Sequence, residues 1–212
     1  MKQDNHKEMF PIVDEQGNII SAATRGECHN GSKLLHPVVH LHVFNSQGDI
    51  YLQKRPDWKD IQPGKWDTAV GGHVDLGESV EIALKREVQE ELGMTDFTSE
   101  LLTTYVFESN REKELVFAHK TVYDGIITPS EELAGGRFWA LEEIRHNLGK
   151  GIFTPNFESE FQRLGFYKLK ISLIKKRLDA YQGIQPLSVI IFITLFVYHP
   201  LVPHIPSHYH SM

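Results

Sequence analysis

The chain has 212 residues, 41% of them hydrophobic, enough for one domain of ordinary size with a true core plus appendages. With 28 acidic and 22 basic residues the net charge is −6, which argues against nucleic acid as a bulk partner. The single Cys28 excludes an internal disulfide and fits a reducing, cytoplasmic compartment, and the polar opening MKQDNHKEMF holds no signal-peptide core. Residues 10–13 and 19–23 flank a Gln16-Gly17-Asn18 turn and predict an opening hairpin. Residues 38–44 and 50–53 flank a polar turn at 45–49 and predict a second one. Residues 54–66 form a basic and aromatic loop punctuated by Pro56 and Pro63-Gly64. A helix is expected over 79–92, rich in Glu, Leu, Lys and Ala and stopped by Gly93. Residues 101–107 and 115–123 read as paired strands, 136–140 as a further strand and 141–144 as the start of a short helix. A closing helical region spans 157–181, interrupted near Gly165, so that the expected domain is 1–181. Residues 182–212 are a compositionally distinct tail with the uncharged run LSVIIFITLFVY. At twelve residues the run is short for a membrane span. It reads as an element packed on the domain or an extension, with a membrane anchor the least favoured role.

The chemistry concentrates around the predicted helix. Gly72, Glu78, Arg86, Glu87, Glu90, Glu91, Gly93 and Met94 fall in the pattern G-x5-E-x7-R-E-V-x-E-E-x-G-M. At roughly 100° per residue, Val80, Ala83, Leu84 and Val88 make an apolar stripe, with Glu87 and Glu91 pointing into it and Glu90 at its edge. Carboxylates beside a buried stripe are costly unless compensated. A bound Mg²⁺, which prefers carboxylate oxygens, water and phosphates, removes that cost. Gly71, Gly72 and Gly77 allow a backbone to approach a ligand closely, and Arg86 is placed to hold a neighbouring carboxylate.

With every fixed position of this pattern filled, the chain resembles the Nudix family. The resemblance implies an α/β fold, a Nudix-type α/β/α sandwich with a mixed β-sheet. It implies hydrolysis of a diphosphate linkage in a small-molecule nucleoside diphosphate derivative, dependent on Mg²⁺ or Mn²⁺. The metal ligands would be Glu87, Glu90 and Glu91, and the catalytic candidates Glu90, Glu87 and Arg86, with Glu131 or Glu132 as a more distant base. Arg55, Lys59, Lys65 and Gly72 are candidate phosphate contacts, and Trp58 and Trp66 could stack on a substrate or simply pack. A catalytically silent nucleotide-binding domain is the third reading.

Within this superfamily, residues 28–93 look like the type I isopentenyl-diphosphate isomerases. His29 and His36, seven apart, His73 inside the loop, and the Glu112-Lys113-Glu114 pair match that group's metal ligands. Three histidines and two carboxylates suit a second ion, Zn²⁺ or Mn²⁺. The resemblance breaks where carbon chemistry occurs: Gly71 stands where those enzymes carry a cysteine, and Asn156 where they carry a shielding aromatic. The family's tyrosine falls on Phe107 or Tyr105. His40 and His42 share one strand face and are read as the polar side of a half-buried strand rather than as a rival metal site.

Overall fold

The computed structural model describes residues 4–166. The expected domain end at 181 and the tail 182–212 lie outside the described residues. Strands β1 (Met9–Val13) and β2 (Ile19–Thr24) pair antiparallel as the predicted opening hairpin. The central strand is β3 (Leu35–Phe44), buried along its whole length. β4 (Ile50–Lys54) follows through a turn in which Asn45 Oδ1 accepts from the Gln47 and Asp49 amides at 3.0 and 2.8 Å. β5 (Trp66–Thr68) and β6 (Val70–His73) come next, then the helix α2 (Val80–Leu92). The long hairpin of β7 (Glu100–Glu108) and β8 (Lys113–Val122) is antiparallel, as expected. β9 (Gly136–Trp139), α3 (Leu141–Asn147) and α4 (Pro155–Leu164) complete the described chain, and Gly165 ends α4 in the left-handed conformation at φ 55°.

One seven-stranded sheet carries the domain in the order β5-β4-β3-β8-β7, with β6 on β3 and β9 on β4. β3 and β8 run parallel and the other pairings are antiparallel, so the sheet is mixed. The odd residues of β3, Val39, Leu41 and Val43, pack on Ala83, Leu84 and Val88 of α2. On the even face Phe44 joins Ile144 of α3 and Phe157 and Phe161 of α4. Helices therefore cover both faces of the sheet, the α/β/α sandwich that the sequence implied.

Three short elements were not foreseen, and β5 is one, starting at Trp66 where a loop was expected. α1 (Arg25–Cys28) is a single turn started by a reciprocal cap between Thr24 and Glu27. β6 is drawn from V-G-G-H, which lacks the branched and aromatic side chains that mark strands. Gly72 is needed because α2 comes close: a Cβ there would overlap the Glu87 carboxylate. Among the described residues no helix is long and apolar enough to cross a membrane.

Candidate functional site

A cavity of about 900 Å³ opens over the end of the sheet, with α2 on one side and the 55–65 loop on another. The helix is fixed at both ends, by the Ser79 side chain accepting from the Ile82 amide and by Gly93 at φ 65°. This places Glu87 and Glu91, one turn apart, on the cavity wall, with Glu90 further out. Arg86 ties Glu87 and Glu90 to the loop before the helix. Its guanidinium donates to Glu78 at 2.8 and 3.0 Å, to Glu87 Oε1 at 2.8 Å, to Glu90 Oε2 at 3.2 Å and to the His73 carbonyl at 3.0 Å. Glu91 Oε2 accepts from Gln53 Nε2 at 3.2 Å. Burial pushes the Glu87 carboxyl up to about 7 against the pull of Arg86, with Glu90 and Asp75 adding to the rise. Burial, then the Glu87 charge, lifts Glu91 to about 8. These two carboxyls hold protons near neutrality unless a cation compensates them, which is the donor chemistry of a hard divalent ion.

The histidines of the second constellation converge from three elements. His29 follows α1, His36 lies on β3 and His73 ends β6, and their ligand nitrogens all fall within 4.8 Å of one another. Phe10 of β1 stacks on His73 at 4.3 Å between ring centres and on His36 at 5.7 Å. His36 Nδ1 donates to the Leu34 carbonyl at 3.0 Å, leaving Nε2 with its lone pair free, and Nε2 is buried without a hydrogen-bond partner. His73 Nε2 and His29 Nε2 are 3.2 Å apart. Two imidazole nitrogens hold that distance with a proton between them, the place a cation would take. Burial, then the neighbouring His36 charge and Arg25, holds His29 down at about 3. Burial brings His36 to about 4 and, with Arg25, carries His73 well below its usual range. All three are neutral donors at pH 7, as metal ligation requires. Glu112 reaches the set through His29, at 3.7 Å. Glu114 stands opposite His36 in the β3–β8 register, with Asn156 Nδ2 donating to its Oε2 at 3.3 Å. Burial and the Glu112 charge raise Glu114 to about 8.

Of the loop residues, Arg55, Lys59 and Trp58 line the cavity, as do Gly72 and Glu132; Lys65 and Glu131 are not among its lining residues. Trp66 is a packing residue, edge-on to Trp139 at 5.0 Å. Asn156 and Phe107 line the cavity, and Tyr105 donates to Asn156 Oδ1 at 2.9 Å. The reading of His40 and His42 needs correction. β3 has no solvent face, and the two imidazoles close on the buried Glu160 carboxylate of α4. Nothing local in sequence links residues 40 and 160. Arg25 was also missed: it lines the cavity, pairs with Asp4 and Glu8 at 3.4 and 3.1 Å, and lies 3.4 Å from His73 Nδ1.

The NUDIX domain model matches residues 34–157. An uncharacterized Nudix hydrolase of Listeria monocytogenes is 34% identical over 139 residues, covering 62% of this chain and 82% of that protein. An isopentenyl-diphosphate Delta-isomerase of Mycolicibacterium vanbaalenii is 32% identical over 94 residues, 44% of this chain and 52% of the other. Among solved structures, a Deinococcus radiodurans protein superposes with a TM-score of 0.65 at 21% identity, covering 74% of this chain and 99% of that one.

Proposed function

The chain belongs to the Nudix family, and on that footing we propose that it hydrolyses the diphosphate linkage of a nucleoside diphosphate derivative. The observation that carries this reading is the pair of buried carboxyls, Glu87 and Glu91, facing a large cavity with the Glu90 carboxylate beside them. Glu87, Glu90 and Glu91 would hold Mg²⁺ or Mn²⁺, and the absence of any side chain at Gly72 keeps the room that Glu87 occupies. Such an ion supplies charge neutralisation at the diphosphate and acidifies water. The residues of the chain do the rest. Arg86 fixes Glu87 and Glu90 relative to the loop carbonyl of His73, so it acts as a positioning residue. Glu90 or Glu87 is the candidate to take a proton from water. Arg55 and Lys59 bring positive charge to the cavity for the phosphates.

His29, His36 and His73, with Glu112 beside them, would hold a second ion, Zn²⁺ or Mn²⁺; the orphaned His36 Nε2 supports this. That ion would serve structure or substrate placement. Isomerisation is not favoured, because Gly71 offers no group to move a proton to or from carbon. Cys28 is buried and free, which suits a reducing compartment. The test is a screen of diphosphate compounds with Mg²⁺, reading phosphate release. Glu90→Gln and Glu91→Gln should each lower kcat by about a hundredfold or more. Full activity in both would overturn the helical metal site.

A further inference from the structure

The cavity has a second cationic feature on its floor, apart from the loop that carries Arg55 and Lys59. His40 Nδ1 and His42 Nε2 each lie 3.1 Å from the same oxygen, Glu160 Oε2, and all three side chains are buried. Lone pairs do not face a carboxylate oxygen at that distance, and neither these nitrogens nor the Glu160 oxygens meet a well-aligned hydrogen-bond partner, so charge holds the three together. A buried carboxylate needs a cation, and the ion pairs Glu160 makes among the described residues are these two. At least one imidazole is therefore charged.

The surroundings select His40. His42 is fully buried, with its other nitrogen 3.1 Å from the Thr68 hydroxyl. His40 instead reaches the cavity. A Cβ built on Gly71 would lie 3.6 Å from both its Cδ2 and Nε2, so the free ring edge lies beside the Gly71 backbone. Gly71 and Glu91 both line the cavity, which puts the His40 edge near the carboxylate wall. Carboxyl groups face the ring from Glu160 on α4, Glu114 on β8 and Asp67 on β5. Burial alone would depress its pKa; Glu160 overrides this and lifts it to about 9.

We propose that His40, paired with Glu160, is an imidazolium that presents its Nε2–H to a phosphate of the substrate on the cavity floor. The proposal rests on the diphosphate reading above. It assigns a binding role to a residue outside both metal constellations, and makes Glu160 a positioning residue that acts through His40. The charge-assisted donor would bind a phosphate oxygen more strongly than a neutral amide could.

The test uses the whole protein with Mg²⁺ and imidodiphosphate, a diphosphate that is not hydrolysed. In ¹⁵N-histidine spectra near pH 7, the His40 ring should show both nitrogens protonated, and its Nε2 signal should move when imidodiphosphate binds. His40→Gln and Glu160→Gln should each weaken imidodiphosphate by about tenfold or more, with Mg²⁺ affinity unchanged. A neutral His40, a ring signal indifferent to the ligand, or wild-type affinity in either folded variant overturns the proposal. So does failure of the wild type to bind imidodiphosphate. Should a variant fail to fold, the wild-type spectra decide alone. If imidodiphosphate moves His40 while no compound in the screen is hydrolysed, the hydrolase reading falls and the phosphate contact stands. Turnover with an unmoved His40 has the opposite meaning.

Discussion

His36, His40 and His42 share one face of β3, within seven residues, yet the strand delivers them to opposite electrostatic settings. At the β3 start, His36 meets His29, His73 and the ring of Phe10, with the Arg25 guanidinium nearby. Burial and positive charge both favour the neutral ring, and neutral imidazole is a metal ligand. Four residues on, the same face meets Glu160, and burial is outweighed by a carboxylate at 3.1 Å. That favours the imidazolium, which repels metal and attracts phosphate. Residue type and strand period are identical in the two places. The assignment depends on what the other elements bring: α1 and β6 bring imidazoles, and α4 brings a carboxylate.

The largest expected effect of breaking this division is on metal content. His73→Ala removes one of three converging imidazoles and should lower the affinity for Zn²⁺ or Mn²⁺ by about a hundredfold or more. Glu160→Gln, at the other end of the strand, should leave the metal in place. Elemental analysis of the gently purified wild type and both variants checks this. Metal-free wild type, or unchanged content in His73→Ala, would leave Glu87, Glu90 and Glu91 as the only ligand set. Equal losses in both variants would mean the two histidine groups are one site.

What could be read from sequence divides along the same line. The helix 79–92, its cap at Gly93 and the placement of Glu87 and Glu91 follow from spacing within a single turn-by-turn pattern, and α2 has those bounds almost to the residue. The paired strands are equally local, and the β3–β4 turn carries its own Asn45 bonds. β6 was invisible because V-G-G-H lacks strand-forming side chains, and its Gly72 is set by contact with α2. The convergence of His29, His36 and His73 was available only through resemblance to a known ligand pattern. The His40–Glu160–His42 contact had no such template. It joins positions about 120 residues apart through the docking of α4 on the sheet, and Glu160 reads as an ordinary polar residue of an amphipathic helix until that docking is seen.

A sharper, intermediate effect lies in the pH dependence of stability in metal-free protein. His29 and His36 are depressed from 6.5 to about 3 and 4, chiefly by burial. The unfolded chain thus binds their protons first as pH falls, and stability drains away from about 6.5 downwards. His40 is raised from 6.5 to about 9, so its contribution is complete below 6.5 and is lost as pH climbs towards 9. The two ends of β3 therefore erode stability on opposite flanks. Melting curves from pH 4 to 9 should show His36→Gln flattening the acid limb and His40→Gln the alkaline limb. Glu87 and Glu91, raised from 4.5 to about 7 and 8, add an alkaline loss common to all three proteins that cancels in the comparison. Matching changes on the same limb would show that the environments are not opposed.

The smallest effect tests whether His42 belongs to the phosphate contact or only supports it. Thr68 Oγ1 donates to the Leu41 carbonyl at 3.1 Å and lies at the same distance from His42 Nδ1, in a site with almost no solvent. Thr68→Val keeps the volume and removes both contacts, leaving the buried His42 Nδ1 without its hydroxyl partner. The expected cost is about 1–3 kcal/mol, a fall in Tm of several degrees for a domain of this size, with metal content unchanged. Imidodiphosphate affinity should stay within about twofold of wild type, because His40 and Glu160 still face each other at 3.1 Å. A loss as large as that of Glu160→Gln would mean that the positive charge rests on His42 as much as on His40. The boundary between the metal-binding and phosphate-binding ends of β3 would then still hold, with the cation on the phosphate-binding side shared across both rings.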